Sequence, residues 1–345
     1  MIKVCVIGAT GYVGSELVRL LAAHPHAELT SVVSESYQGK KLREIYPHLH
    51  GFGDMVCDPL QIDVLANKAD LFFLALPHGV SMDVADGLLK LGKTVIDLGA
   101  DYRINDLAVY EKWYGPHKTP ELLSRAVYGI AELNRENIAG AKLLANPGCY
   151  PTTALLGLAP ALKNGLIALD HIVIDSKSGV SGAGRKLNQA THFCDCTEST
   201  KAYNVGKHRH KPEIEQELTK LAGEKVRVTF TPHLVPLVRG MLSTIYTDLK
   251  PGISLARVHE AYQEFYQDNY FVEVLPLGQL PETQFVAGSN FCNIGLALDE
   301  EQNQLIILSA IDNLLKGAAG QAVQNMNIMY GWPENTGLQY PGMYP

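Results

Sequence analysis

The chain has 345 residues, 46% of them apolar, and a formal net charge of −7 at pH 7. This length indicates two domains, and the apolar content is sufficient for a large core. The acidic balance, without a Lys/Arg-rich block, argues against nucleic acid or an anionic membrane as a partner. The N-terminus lacks a secretory layout, and no apolar run is long enough to span a bilayer. The six cysteines are scattered, as in proteins with reduced thiols. We therefore expect a cytoplasmic protein.

The first half of the chain alternates predicted strands and helices. The apolar run IKVCVIG predicts a buried strand, and apolar residues at helical spacing over 12–23 predict a helix. Further strands are predicted over 28–33, 70–77, 94–99 and 142–146, with a helix over 81–92 between the second and third of them. This alternation of nearly continuous apolar strands with helices predicts an α/β domain with a Rossmann-type parallel sheet.

The second half is predicted to be an α+β domain with a largely antiparallel sheet, because several of its strands alternate apolar and polar residues. Its helices are fewer, at about 211–222 and 254–268. We assign residues 1–148 to a dinucleotide-binding domain and 149–312 to a catalytic and oligomerisation domain. A C-terminal helix, at about 313–345, is expected to return to the first domain. The predicted strands cover 171–179, 225–236, 241–249, 271–276, 291–299 and 304–312.

The stretch GATGYVG follows the first predicted strand and opens the first predicted helix, which is the context of a dinucleotide-binding turn. Its glycines allow a tight turn, close approach of a pyrophosphate and close packing of helix on strand. The helix N-terminus offers free N–H groups to the phosphates. Thr10 stands where the stricter motif has glycine, so an ordinary tight turn is the alternative. The predicted cofactor-binding residues here are Gly8, Thr10, Gly11, Tyr12, Val13 and Gly14.

The end of the second strand indicates which cofactor binds. NAD-binding domains carry an acid there for the ribose 2′-hydroxyl. This chain has Ser34-Glu35-Ser36 instead, and the cations Lys40, Lys41 and Arg43 follow. Two hydroxyls and nearby cations favour a 2′-phosphate. We therefore predict NADP(H), bound by Ser34 and Ser36, although Glu35 could still point inward and favour NAD.

Cys149 lies in NPGCYPT, between an apolar run and a predicted helix, near the domain border. Gly148 permits unusual dihedral angles and close approach of a ligand. Pro151 is favourable at a helix start, with Thr152 or Thr153 as a cap. A cysteine at a helix N-terminus is favoured as thiolate, which beside a nicotinamide can attack a carbonyl and form a thioester. We predict this cysteine as the nucleophile; the alternative is a small buried cysteine that fills space.

Six motifs together resemble the N-acetyl-γ-glutamyl-phosphate reductase family of semialdehyde dehydrogenases. They are GATGYVG, LPHG (76–79), DLGADYR (97–103), NPGCYPT (146–152), SGVSGAGR (178–185) and HRHKPEI (208–214). The resemblance covers essentially the whole chain. It implies NADPH-dependent reduction of an acyl phosphate in arginine biosynthesis, with a cysteine nucleophile and a histidine acid/base within HRH. It also implies a homodimer or homotetramer built through the second domain.

Four of these motifs contain further predicted ligands of the substrate or the cofactor. An acyl phosphate requires a cation, and Arg103 can hold phosphate bidentately; a surface ion pair with Asp101 or Asp106 is the alternative. Asn146 and the Cys149 N–H are predicted to bind the oxyanion. SGVSGAGR is expected to be a loop near the substrate or the nicotinamide amide, although a plain flexible loop would look similar. Its predicted ligands are Ser178, Gly182 and Arg185, and those of LPHG are Pro77, His78 and Gly79, His78 being equally compatible with a structural role.

His208 and His210 are the candidates for the acid/base. If the stretch before the helix is extended, alternation places both on one side, with Arg209 opposite. Pro212 is favourable at the first helical position, which makes Lys211 the expected cap and places His210 just before it. Since the helix field favours neutral imidazole there, we predict His210 as the acid/base and His208 as a substrate-binding neighbour. Alternatively, both only bind the substrate carboxylate or shape the loop.

Other functions are less well supported. His192, Cys194 and Cys196, with the histidines of HRH, could suggest zinc, but no C-x-x-C pair is present, so we predict no metal. A redox sensor that binds NADP without turnover and uses Cys194 and Cys196 is an alternative of another class. Within the enzyme class, aspartyl phosphate and N-acetyl-aminoadipyl phosphate are the alternative substrates.

Overall fold

A computed structural model of the chain describes residues 1–344, which form two compact units. Unit 1 comprises Met1–Pro147 and Ala318–Gln339, and unit 2 comprises Gly148–Gly317 and residues 340–344. Along residues 1–344 no helix is both long enough and apolar enough to cross a membrane.

Unit 1 contains a seven-stranded parallel sheet in the order β3-β2-β1-β4-β5-β7-β6. Every residue of β4 and β5 is buried, so both faces of the sheet centre are covered, as in doubly wound folds. The short edge strands β3 and β6 were not predicted from the sequence. The strands are β1 (Ile2–Ile7), β2 (Ala27–Val33), β3 (Cys57–Asp58), β4 (Leu71–Leu74), β5 (Thr94–Asp97), β6 (Val127–Tyr128) and β7 (Leu143–Ala145).

The helices of unit 1 connect these parallel strands. The first is amphipathic and buries Leu17, Val18, Leu20 and Leu21, which explains the helical spacing of apolar residues in that stretch. The helices before the C-terminal segment are α1 (Tyr12–Ala22), α2 (Leu42–Ile45), α3 (Ile62–Ala66), α4 (Ser81–Lys90), α5 (Leu107–Tyr114) and α6 (Ala131–Ile138).

The strand order of unit 1 reverses between β1 and β4, its topological switch point. In open α/β sheets, ligands bind at the carboxyl ends of the strands that flank this point. Gly8 follows β1, and Pro77–Gly79 follows β4. The sheet therefore brings the glycine-rich turn and LPHG to the same edge.

Unit 2 contains a second seven-stranded sheet, in the order β12-β13-β14-β11-β8-β10-β9. Four of its strand pairs are antiparallel, and two are parallel. Buried and half-buried residues alternate along β11, so one face of the sheet is covered more than the other. The predicted fold class, a parallel-sheet domain followed by an α+β domain, is confirmed. The strands are β8 (Ile172–Gly179), β9 (Lys201–Ala202), β10 (Val228–Val235), β11 (Met241–Asp248), β12 (Val272–Val274), β13 (Cys292–Asp299) and β14 (Gln304–Ile311).

The longest helix of unit 2, α7, is buried almost throughout and contacts α9, α10, β11 and β14. Pro160 within α7 lacks the N–H that would bond the Leu156 carbonyl. The Tyr266 hydroxyl of α10 donates to that carbonyl at 2.6 Å, and the Tyr262 hydroxyl donates to the Gly157 carbonyl at 2.7 Å. The five helices are α7 (Cys149–Lys163), α8 (Phe193–Cys196), α9 (His210–Ala222), α10 (Leu255–Tyr266) and α11 (Thr283–Val286).

The C-terminal helix, α12 (Gly320–Met329), is shorter than predicted. A π-helical turn, Leu315–Ala319, precedes it. The helix ends because Gly331 adopts a left-handed conformation, with φ 73°, and Pro333 follows two residues later. The rest of the segment forms turns and irregular structure, and Pro345, the last residue of the predicted helical range, lies outside the described residues.

Candidate active site

The glycine-rich turn has the close packing that its sequence predicts. Gly8 has φ +88°, and a Cβ there would lie 2.2 Å from the Ala75 carbonyl oxygen. A Cβ on Gly14 would lie 2.1 Å from the Gly8 carbonyl oxygen. At Gly11, by contrast, the nearest atom would be 3.6 Å away, so there is room for a ligand. Gly11 caps α1 without a side-chain bond, which leaves the first-turn N–H groups for an anion.

Ser34 lies beside this turn. Its hydroxyl is 2.7 Å from the Thr10 hydroxyl, and it is buried, whereas Glu35 and Ser36 are exposed. Of the three cations beyond, Lys41 and Arg43 both pair with Asp54. Of the two predicted cofactor-binding serines at the end of β2, Ser34 is therefore buried and Ser36 is exposed.

Hydrogen bonds to the buried carboxylate of Asp101 link LPHG to DLGADYR. The Gly79 N–H donates to both carboxylate oxygens of Asp101 at 2.8 Å, and the Tyr110 hydroxyl donates to one of them at 3.0 Å. Burial and the nearby Asp101 raise the pKa of Asp97 to about 7. His78 is exposed, and its ring lies 5.7 Å from that of Tyr114.

Arg103 is buried, with 7% exposure. Its Nε donates to the Asn146 carbonyl at 2.7 Å, and its Nη2 donates to the Leu98 carbonyl at 2.8 Å. The Asn146 amide is engaged as well, since it donates to the Ala318 carbonyl and accepts from Asn325, each at 3.1 Å. The structure thus brings Arg103 and Asn146 together, and two main-chain carbonyls contribute to the orientation of the guanidinium.

Cys149 is the first residue of α7 and is half-buried, so it lies in the helix-terminal field that the sequence predicts. The expected caps are wrong: Gly148 is the N-cap, and α7 has no side-chain cap because Thr152 and Thr153 already lie inside it. The buried Glu213 carboxylate of α9 accepts the Gly148 N–H at 2.9 Å. Sequence reasoning missed Glu213, although an acid in the first turn of a helix is a recognisable signal.

The start of α9 differs from the prediction. The helix begins at His210, so Pro212 is its third residue and Arg209, not Lys211, is the N-cap. Arg209 has helical dihedral angles, φ −63° and ψ −19°, so the stretch before the helix is not extended, and alternation does not explain the arrangement. The two histidine rings nevertheless lie together, with centroids 4.8 Å apart.

His208 is enclosed by aromatic rings. Its centroid lies 5.4 Å from those of Tyr150, Tyr203 and Phe230. Its Nδ1 accepts the His210 backbone N–H at 3.1 Å, which requires an unprotonated Nδ1. Burial lowers the pKa of His208 to about 4, and the Arg209 charge acts in the same direction. His208 is therefore neutral near pH 7.

Tyr150 connects several of the predicted site residues, and sequence reasoning missed it although it directly follows Cys149. Its ring lies 5.8 Å from that of His210. Its hydroxyl accepts from Tyr203 at 3.0 Å and donates to the His233 carbonyl at 3.2 Å. Burial raises the pKa of Tyr150, while a hydrogen bond with Ser178 opposes this. Tyr150 therefore stays protonated near pH 7 and forms hydrogen bonds and ring contacts within the site.

SGVSGAGR is only partly the predicted loop. Ser178 and Gly179 are the last residues of β8 and are buried, and a 3₁₀ turn over Val180–Ala183 follows. A Cβ on the exposed Gly182 would lie 3.0 Å from the Ser178 hydroxyl. Arg185 follows Gly184, which has φ 82°. The strand ends at Gly179, the last residue of its predicted range, and β8 pairs with both β10 and β11.

Comparisons with known proteins match both units. The family described as "Semialdehyde dehydrogenase, NAD binding domain" matches residues 3–141, and "Semialdehyde dehydrogenase, dimerisation domain" matches residues 149–313. A solved aspartate semialdehyde dehydrogenase II of Vibrio cholerae, complexed with ASA, is similar over 96% of this chain and 98% of its own, with TM-score 0.73 and 17% identity. An aspartate semialdehyde dehydrogenase of Candida albicans with NADP is similar over 97% and 99%, with TM-score 0.74 and 17% identity. These structures establish the shared fold.

Curated relatives are much more similar in sequence. The N-acetyl-γ-glutamyl-phosphate reductase of Desulforudis audaxviator is 55% identical over 348 residues, covering 100% of both chains. That of Pelotomaculum thermopropionicum is 54% identical, covering 100% of this chain and 99% of the relative. The chain therefore belongs to the N-acetyl-γ-glutamyl-phosphate reductase family of semialdehyde dehydrogenases.

Proposed function

We propose that the protein reduces N-acetyl-γ-glutamyl phosphate to N-acetylglutamate 5-semialdehyde and phosphate, with NADPH, in arginine biosynthesis. The observation that carries the proposal is the position of Cys149 as the first residue of α7, in the same unit as the imidazoles of His208 and His210. The full-length relatives support the choice of substrate, since their names specify this acyl phosphate.

The dinucleotide would be held by unit 1. The open space at Gly11 and the uncapped start of α1 fit a pyrophosphate. The buried Ser34 hydroxyl beside Thr10, without a buried acid at the end of β2, fits a 2′-phosphate better than a free 2′-hydroxyl. Bound NADPH supplies the hydride in this chemistry.

The first half-reaction uses the thiol as nucleophile. His210 takes the proton of the Cys149 thiol, and the thiolate attacks the acyl carbon. A C–S bond forms and the C–O bond to the phosphoryl group breaks. The phosphate leaves with the bonding electrons and takes the proton from His210, while Arg103 binds it. His210 is preferred to His208 because the Nδ1 of His208 is occupied by a backbone N–H and its ring is held neutral by burial.

In the second half-reaction the thioester is reduced to a thiohemiacetal. His210, reprotonated from water, donates a proton to the carbonyl oxygen, and the Cys149 N–H, with Asn146, stabilises developing negative charge on it. The C–S bond then breaks, the aldehyde forms and the Cys149 thiol is regenerated. The proposed contacts of Ser178, Gly182 and Arg185 with the substrate or nicotinamide amide, and of Pro77, His78 and Gly79 with the cofactor, remain predictions.

The decisive experiment is phosphate-dependent reduction of NADP⁺ with N-acetylglutamate semialdehyde. We expect turnover with this aldehyde to exceed that with aspartate semialdehyde or N-acetyl-aminoadipate semialdehyde. Preference for either of the others would replace the proposed substrate, and no phosphate-dependent turnover with any of them would favour the NADP-binding sensor.

We also propose that the protein is a homodimer or homotetramer assembled through unit 2, whose family description is a dimerisation domain. The less covered face of its sheet carries the half-buried apolar side chains of Leu242, Tyr246, Ile306 and Leu308. Tyr246 pairs with Ile306 across β11 and β14, so these side chains form a continuous apolar patch. Light scattering should give a mass of two or four 37.7 kDa chains, and Ile306→Glu should lower that mass. A monomeric wild type would refute assembly.

We further propose that the protein works in a reducing compartment such as the cytoplasm, which its free thiols support.

A further inference from the structure

A glycine of the C-terminal turn lies directly against the side chain of Cys149. A Cβ on Gly317 would lie 2.8 Å from the Cβ of Cys149 and 3.3 Å from its Cα. The same Cβ would also lie 3.3 Å from Cδ1 of Ile311. Gly317 is not among the glycines with positive φ, so backbone conformation does not require glycine here. The requirement is the space beside the cysteine.

The turn that carries Gly317 is firmly anchored. It follows Asp312, whose buried carboxylate accepts the N–H groups of Leu314 at 2.8 Å and Leu315 at 3.1 Å. The other carboxylate oxygen accepts the Gly288 N–H at 2.8 Å. The Gly317 N–H itself donates to the Asp312 carbonyl at 3.0 Å. A side chain at position 317 therefore cannot be accommodated by a simple outward shift of the turn.

The helix that carries Cys149, α7, is also held by hydrogen bonds. The Gly148 N–H is bound to the Glu213 carboxylate at 2.9 Å. The Thr153 hydroxyl, one turn into the helix, lies 2.7 Å from the Ser243 hydroxyl of β11. The Cβ of Cys149 is bonded to the α7 backbone and does not move when the side chain rotates. An added carbon at position 317 must therefore shift the first turn of α7 against these hydrogen bonds, and the Cys149 thiol moves with it.

We propose that Gly317 is a positioning residue for the nucleophile: its missing side chain leaves the space in which the first turn of α7 holds the Cys149 thiol at its reactive position. The proposal rests on the function proposed above, in which the Cys149 thiolate attacks the acyl carbon. The π-helical form of the turn agrees with this role, since such turns occur frequently at functional sites. Displacement of a reacting atom by about 1 Å can lower a rate by about 10²-fold.

The test compares Gly317→Ala with Gly157→Ala. Gly157 is a matched control because its added Cβ would lie 2.9 Å from Cδ1 of Ile245, the mobile end of a side chain that can rotate away. All variants carry Cys194→Ser and Cys196→Ser, which remove the other thiols that are not fully buried. We expect Gly317→Ala to lower kcat at least tenfold with KM for NADPH within twofold, and to change the rate of Cys149 alkylation by iodoacetamide at least fivefold. Gly157→Ala should keep both rates within threefold.

A stability cycle tests the contact without any assay of turnover. Cys149→Gly removes the carbon that the methyl group added by Gly317→Ala would meet. Gly317→Ala should therefore lower the unfolding midpoint with Cys149 present and much less in the Cys149→Gly protein. This arm also decides the case in which the single variant does not fold. The proposal is overturned if Gly317→Ala is equally destabilising in both proteins, or if it leaves both kcat and Cys149 alkylation within threefold of the parent. Absence of reductase activity in the parent would instead reject the proposed function, while the alkylation and stability arms still report on Gly317.

Discussion

The two histidines at the start of α9 are expected to respond differently to the same substitution. His210→Asn removes the proposed acid/base, so kcat should fall by about 10²-fold or more, the usual range for losing a general acid–base group. His208→Asn retains an acceptor for the His210 N–H, because an amide oxygen can replace Nδ1. It removes three aromatic contacts, so we expect a loss of folding free energy of about 2 kcal/mol and a kcat within about tenfold of wild type.

The pH dependence of stability provides a second signature of His208. Its pKa is about 4 in the folded protein, against 6.5 for an unperturbed histidine. Because the folded pKa is lower, the unfolded chain binds this proton first as the pH falls. Above pH 6.5 both states are neutral and His208 has no effect. Between pH 6.5 and 4 its protonation favours unfolding by an amount that reaches about 3 kcal/mol.

Urea unfolding at fixed protein concentration, followed from pH 7.5 to 4, measures this term, and initial rates over pH 6–9 measure kcat. Wild type should lose more stability than His208→Asn over the acidic interval. Equal losses in both proteins would refute a His208 that is held neutral by desolvation. A larger fall in kcat for His208→Asn than for His210→Asn would reverse the assignment, and small falls for both would reject the histidine mechanism.

Four further outcomes are expected. Cys149→Ser should reduce turnover below a few per cent while NADPH binding, followed by fluorescence, persists, because a hydroxyl is a far weaker nucleophile near neutral pH; more residual activity would remove Cys149 from its role. The kcat/KM for NADPH should exceed that for NADH, and equal values would contradict a 2′-phosphate site at Ser34 and Ser36. Arg103→Leu should raise KM for phosphate in the reverse assay and lower kcat, whereas an unchanged phosphate dependence in a folded variant would assign Arg103 another role. Glu213→Ala leaves the Gly148 N–H without its acceptor and should cost about 1–3 kcal/mol in urea unfolding, whereas Glu213→Gln, which keeps an acceptor, should cost clearly less; equal losses would show that this hydrogen bond does not stabilise the fold.

Much of unit 1 could be predicted from the sequence because its signals are local. Apolar runs such as IKVCVI specify buried strands, and Gly14 is required by close packing on Gly8 and Ala9, a few residues away. The helix that starts at Cys149 was recognisable for the same reason, since the glycine and proline residues that flank Cys149 act over one helical turn. The two-residue strands β3 and β6 carried too few residues for a pattern.

The residue at which α9 begins was harder to predict from the sequence. The first and third helical positions both lie in the first turn, where a backbone N–H has no acceptor within the helix. Proline is therefore tolerated at either position, and Pro212 could not locate the boundary. The closeness of His208 and His210 was predicted, but for a reason that the helical conformation of Arg209 removes.

The sequence by itself determined the fold class, the dinucleotide turn and the cysteine at a helix start, because dihedral preferences and hydrophobic periodicity act within a few residues. Only the tertiary structure decided what surrounds that cysteine. Glu213 reaches the Gly148 N–H, and Gly317 lies against Cys149, because the packing of α7, α9 and the turn after β14 brings together residues far apart along the chain. The same packing distinguishes the two histidines: rings from α7, β10 and the segment after β9 surround the half-buried His208, and desolvation then holds it neutral.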